Sequence, residues 1–292
     1  MSTVAVPFTT RSVSGARRVK DRLFTAFVWA CGVIALTPLV VIAVFVVTKG
    51  LPALSVTFFT TTPAGPIDPA AGGISEAFVG TATIVGLATA IAVPLGILTA
   101  VYLSEYGRGR FANVVRLVSE ILLSTPSIIV GLFIYGVVVT RMHAFSAFAG
   151  ALAIGVLMWP VVTRATEEVL RLVGDDVREG ALALGYPRWR VILRIVLPTA
   201  GAGILTAVML AVARGLGETA PVLVTALGSD YMSKSLFVPT DAVPLRIYKY
   251  ARQPIEALQA QAWTAALALL VVVLVLSIGA RTLAARRRRR LG

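Results

Sequence analysis

Six long apolar runs constrain this chain more than anything else in it. They cover residues 23–47, 74–103, 114–140, 145–162, 199–227 and 262–283. A run of this kind is long enough to cross ~30 Å of hydrocarbon as a helix, with some tilt. Inside lipid the backbone has to satisfy its own hydrogen bonds, and a helix does so within one segment. The expectation is an all-α integral membrane protein with six spans. Composition agrees: 57% hydrophobic and 14% charged residues, with a mean hydropathy of +0.86, exclude an ordinary soluble domain.

The formal charge of +13 would suit nucleic acid, but its placement argues for membrane topology instead. Segments on the side of the amino terminus hold 20 of the 27 basic residues: Arg11 to Arg22, Arg108 to Arg116, Arg164 to Arg194, and Arg281 to Arg290. The opposite side holds Lys49, Arg141, Lys234, Arg246, Lys249 and Arg252, and Arg214 falls inside a span. Basic loops stay in the cytoplasm, so both termini are expected there, with the arginine run at the end resting on anionic lipid headgroups and no role in nucleic-acid binding. A basic start before an apolar core also suits a signal peptide. The core is too long and no small-x-small site closes it, so an uncleaved first span is expected.

The division that follows is a basic amino-terminal tail at 1–22, a first span with an external loop at 23–73, a transmembrane domain at 74–283, and an arginine-rich tail at 284–292. The external loop has Pro52, Pro63, Pro66 and Pro69, and an apolar patch at Phe58 and Phe59 with room for a surface helix. A lone Cys31 allows no intrachain disulfide, and a lone His143 makes no metal or catalytic constellation. No phosphate-binding glycine loop is present, so this chain is expected to bind no nucleotide, metal or cofactor and to be no enzyme.

One stretch inside the transmembrane domain is polar, residues 166–198. Glu167, Glu168, Asp175, Asp176 and Glu179 crowd its first half and Arg188, Arg190 and Arg194 its second. It has to lie outside lipid. Residues 177–184 suit a helix stopped by Gly185, with a Gly185-Tyr186-Pro187 turn and a second helical run from Arg188 that ends at Pro198. Glu179-Gly180-Ala181, three residues, Gly185, nine residues and Ile195-Val196-Leu197-Pro198 resemble the cytoplasmic signature of bacterial ABC importer permeases. That signature has alanine where Gly180 stands, and a small residue is expected to suit the same close packing. The resemblance implies a coupling helix that docks on an ATP-hydrolysing subunit, carried here by Glu179, Gly180, Ala181, Leu182, Gly185, Tyr186 and Pro187.

Charge inside a span marks a second region. Arg214 and Glu218 stand four apart, which places them on one helix face of the fifth span. At the bilayer centre such a charge costs at least about 2.5–3.5 kcal/mol, so it lines a cavity or is paired. Gly215 and Gly217 thin the backbone beside it. Ser124, Thr125 and Ser127 form a hydroxyl cluster around Pro126, beside a helix break, although hydroxyls in a span often bond only to their own preceding turn. Pro38, Pro94, Pro126, Pro160 and Pro221 put one proline in or at the end of each of the first five spans.

The segments GGISEAFVGTATIVGLATAIAVPLGILTAVYLSEYG, STPSIIVGLFIYG, ARGLGETAPVL and PLRIYKYARQP are similar to membrane subunits of the phosphate-specific ABC importer, the PstA family. The likeness covers roughly residues 72–283. It implies a six-helix type I ABC importer permease fold with a cytoplasmic coupling helix. It also implies partnership with a homologous second permease, two ATPase subunits that use ATP and Mg, and an external phosphate-binding protein. The translocation path would include Arg214, Glu218, Thr219, Ser124, Thr125 and Ser127. Other readings stay open: a permease for another oxyanion such as phosphonate, molybdate or sulfate, or an ion-coupled carrier with Glu218 as its proton site.

Overall fold

The structure is a computed structural model that describes residues 15–65, 68 and 71–291. Arg11, Pro66, Pro69 and the side chains of residues 286–290 lie outside the described residues. Among the described residues the regular elements are all helical, as expected. Among the described residues five helices are long and apolar enough to cross a membrane, and six if one bent pair counts as a single span.

The chain divides into two units, Met1–Thr48 and Lys49–Gly292. The first is built on helix α1, Gly15–Gly50, which includes Arg17, Lys20 and Arg22; this part of the expected tail is helical. The second begins with the short helix α2, Val56–Thr60, at the expected apolar patch. Phe58 is buried there, edge-on to Phe78, and the Ser55 hydroxyl accepts from the Phe58 amide.

Two spans make the centre of this unit. Helix α3, Ser75–Val101, is prolonged by a π turn, Tyr102–Tyr106. Ile84, Val85, Ala88 and Ala92 of α3 bury against the helix that holds Ala151, Ile154, Met158 and Val162. Small residues let the backbones approach. A Cβ on Gly96 would stand 2.8 Å from Val162, which leaves no room for one. Trp159 Nε1 donates to Thr99 Oγ1 at 3.2 Å across the same seam.

The third span is broken beside Pro126, as expected. Helix α4, Arg110–Ser124, and α5, Ser127–Ile134, meet at 106°. A π turn and a last helical turn carry α5 on to Met142. Pro126 lacks an amide and holds Thr125 in extended backbone, ψ 131°. The Ser124 and Thr125 hydroxyls donate to the Glu120 and Ile121 carbonyls, which a continuing helix would have used.

The fourth span, α6 (Ala147–Arg171), runs well past residue 162. Glu167 and Glu168 therefore lie in a helix, where a loop was expected. Glu167 is buried, and Arg116 (2.9 Å) from α4 and Arg171 (2.6 Å) converge on its carboxylate, with Arg164 at 3.5 Å. The arginines compensate a carboxylate that could not be buried alone.

Helix α7, Asp175–Ala183, leads into α8, Arg188–Gly217. The helical run from Arg188 does not stop at Pro198 as expected. A π turn, Ile192–Val196, precedes the proline, and the wider turn admits a residue without an amide. The fifth span stops instead at Gly217, and a short helix α9, Ala220–Thr225, follows. The stretch expected as a polar loop up to residue 261 contains helix α10, Val243–Ala251, and the start of the last span, α11, Glu256–Leu291. Pro38, Pro94 and Pro160 sit inside unbroken helices, so only two of the five span prolines accompany a break.

Candidate functional site

Helix α7 starts with Asp175 and Asp176 in its first turn, where acidic side chains suit the helix dipole. It ends in a Schellman arrangement, with the Tyr186 amide on the Ala181 carbonyl (3.4 Å) and the Gly185 amide on the Leu182 carbonyl (2.9 Å). Gly185 has φ +83°, the left-handed backbone that glycine adopts without a steric penalty. The expected helix stop and turn are therefore present, with Pro187 opening the next helix. Ala181 is buried against Leu170, Val173, Val191 and Ala200 and seats α7 on the spans. Glu179, Leu182, Leu184 and Tyr186 remain exposed, with Leu184 at 79%. Within the described residues of this chain Gly180 packs against nothing, and a Cβ there would meet open space.

Arg214 and Glu218 come together at the end of α8, Nε to Oε1 at 3.4 Å. They do not share a helix face, because Glu218 lies just past the helix in extended backbone and folds back to its partner. Gly215 does allow a close approach to the backbone, by Ile154 and Met158 of α6. Gly217 does face open space. The second break adjoins the first. A Cβ on Gly131 of α5 would stand 2.7 Å from Pro221 Cα of α9, so the helices that follow the two breaks touch. Ser127 and Thr219 stand at the starts of these two touching helices, and Arg214 and Glu218 close the helix just before α9. Ser124 and Thr125 spend their hydroxyl protons on their own helix and keep only lone pairs for another group.

The family described as the binding-protein-dependent transport system inner membrane component matches residues 92–289. Phosphate transport system permease protein PstA of Yersinia pestis is 42% identical over 274 residues, 93% of this chain and 92% of that protein. The PstA of Xylella fastidiosa strain 9a5c is 46% identical over 244 residues, covering 82% of this chain and 84% of its own. PstA 1 of Mycobacterium tuberculosis H37Rv is 41% identical over 290 residues, 97% and 94% of the two chains. The chain belongs to the PstA family of binding-protein-dependent permeases.

The fold of this permease is shared more widely. A chain of a bacterial alginate ABC transporter, in complex with alginate pentasaccharide-bound periplasmic protein, matches it with a TM-score of 0.66 at 16% identity, covering 91% of this chain and 95% of that one. A chain of the MetNI methionine ABC transporter matches with a TM-score of 0.57 at 18% identity, covering 74% and 94%. The permease thus has the type I ABC importer fold and is a multi-pass inner membrane component.

Sequence reasoning missed a charged cluster at the other end of α3. Arg246 of α10, one of the six basic residues on the opposite side, is 2% exposed. It donates to Glu76 (2.9 Å) and Asp230 (2.6 Å), pairs with Asp241, and lies over the Tyr250 ring. Burial pushes the Asp241 carboxyl up, against the pull of Arg246 and Lys249. The Asp241 backbone presses onto α3 at Gly80, where a Cβ would collide with the Asp241 carbonyl. A signal was available. Val243, Arg246 and Tyr250 recur at helical spacing, which puts Arg246 on the buried stripe of α10.

Proposed function

We propose that this permease carries inorganic phosphate across the inner membrane as the PstA-type subunit of an ATP-driven importer. The observation that carries the reading is the 41–46% identity, over most of the chain, to permeases named for phosphate transport. The partners are a homologous second permease, two ATPase subunits that hold ATP and Mg, and an external phosphate-binding protein. This chain holds no cofactor and meets lipid around its spans. The basic-residue distribution supports a cytoplasmic location for both termini and α7.

In this mechanism α7 docks on the ATPase through Glu179, Gly180, Leu182, Tyr186 and the turn at Gly185 and Pro187, while Ala181 anchors it. ATP closes the ATPases, and the spans reorient so that a cavity opens outward to accept phosphate; after hydrolysis it opens inward. Arg214, the more exposed partner of its pair at 42% against 16%, attracts the anion at the adjoining breaks. Glu218 limits how tightly the anion is held, since a transport site has to release what it binds. Thr219, Ser127, Ser124 and Thr125 offer polar atoms along the same path.

Uptake of labelled phosphate into vesicles holding the assembled importer tests the reading, with sulfate, molybdate and phosphonate as competitors. Phosphate uptake that resists these competitors is expected. Preferential uptake of another oxyanion would overturn the substrate. In the same assay, replacing both Arg214 and Glu218 with glutamine should leave assembly intact and impair uptake; unimpaired uptake would reduce the pair to a structural role.

A further inference from the structure

Arg178 lies on the side of α7 that turns back to the spans. Its Nε and Nη2 donate to Glu105 Oε1 at 3.3 and 3.0 Å. Nη2 also donates to the Leu170 carbonyl at 2.7 Å, and Nη1 to the Val173 carbonyl and to Asp175 Oδ1 at 3.2 Å. Leu170 lies in the last turn of α6 and Val173 just past it, where a helix end needs donors for its carbonyls. Glu105 lies in the π turn that ends α3. One guanidinium, with its fork of fixed donors, therefore ties α7 to the ends of two spans at once.

The chain itself connects α7 only to α6 and α8; besides the apolar cluster that Ala181 shares with Ala100, its polar tie to α3 is this ion pair, between residues 73 apart in sequence. We infer that Arg178 and Glu105 form the joint through which movement of α7 reaches α3. Both side chains are mostly covered, 16% and 12% exposed, but they line a cleft of about 480 Å³ shared with Glu179 and Arg188. Water in the cleft and the exposed Asp175 give Arg178 other partners when Glu105 moves away, so the joint can open without stranding a buried charge. The π turn, wider than an α turn, gives the end of α3 room to shift. Arg178 and Glu105 are positioning residues and touch no substrate.

The inference rests on the reading of α7 as the ATPase-docking element. Its test therefore measures docking and coupling separately in the full importer. Glu105→Gln, Arg178→Gln and the double variant are assembled with the partner subunits, and ATPase co-purification, ATP hydrolysis and phosphate uptake are recorded. With docking intact, each single variant should raise the ATP hydrolysed per phosphate imported by about 5-fold or more, the lower end of ordinary coupling between sites. The double variant should be no worse than the worse single, as for two residues acting through one contact. Arg178→Lys should restore part of the coupling, an effect unrelated to fold stability. Glu105→Gln keeps an acceptor of the same shape and serves if Arg178→Gln does not assemble. An unchanged ratio in Glu105→Gln, with ATPase bound, would overturn the joint. An ATPase that binds equally well to an importer with residues 175–185 replaced by a glycine-serine linker would overturn the docking reading itself.

Discussion

Helix α3 carries a glutamate near each end, and each one meets an arginine at almost the same distance. Glu76 is 2.9 Å from Arg246, and Glu105 is 3.0 Å from Arg178. The surroundings differ. Glu76 and Arg246 are buried, with side chains 1% and 2% exposed, and Asp241 is enclosed with them. Glu105 and Arg178 line a cleft, beside a short helix whose outer surface is bare. Arg246 also meets the exposed Asp230 and borders a cleft. What fixes its end is the pair of buried carboxylates, Glu76 and Asp241, that depend on it, against the single, partly exposed Glu105 at the other end.

The largest effect should come from the buried end. Arg246→Met leaves Glu76 and Asp241 buried without their cation, at a cost of about 3–5 kcal/mol. Thermal unfolding in detergent should show a large loss of stability, and little assembled complex should form. A smaller effect is expected at the open end. Gly185→Val forces a branched side chain into left-handed backbone, which costs about 1–3 kcal/mol and is confined to α7 and its turn. The spans should still insert and melt near the wild-type temperature, while ATPase co-purification, or the response of hydrolysis to the binding protein, is lost. A melt as damaged as that of Arg246→Met would erase the contrast between the two ends.

The smallest effect should be Gly180→Ala. The added methyl meets open space and removes a helix-interior glycine, so α7 should gain about 0.5–1 kcal/mol with uptake preserved. Loss of uptake in this variant would mean that a partner's backbone fits against Gly180 in the assembly.

The contrast also explains what was legible in the sequence. The segment with α7 works through local chemistry: a helix former run, a left-handed glycine stop and a spacing that stays contiguous in the chain. Its helix and its end at Gly185 could be read directly. The span breaks were only half legible. Pro126 and Pro221 look no different in sequence from Pro38, Pro94 and Pro160, which their helices absorb. Breaks occur where hydroxyls or Gly217 and Glu218 give the freed backbone another conformation. Least legible were Glu76 with Arg246, 170 residues apart, and Glu105 with Arg178. A charge looks solvated until the element that covers it is known, and only the helical spacing in α10 hinted that Arg246 faces inward.

The most direct test of the account compares an accessible position at each end. In a Cys31→Ser background, Leu184→Cys sits beside α7 and Tyr231→Cys in the loop before α10, at sites 79% and 82% exposed. Their rates of thiol alkylation are measured in detergent with and without the ATPase subunits. The account predicts that the ATPase strongly slows alkylation at Leu184→Cys and leaves Tyr231→Cys unchanged. Equal rates at Leu184→Cys with and without a bound ATPase would contradict it.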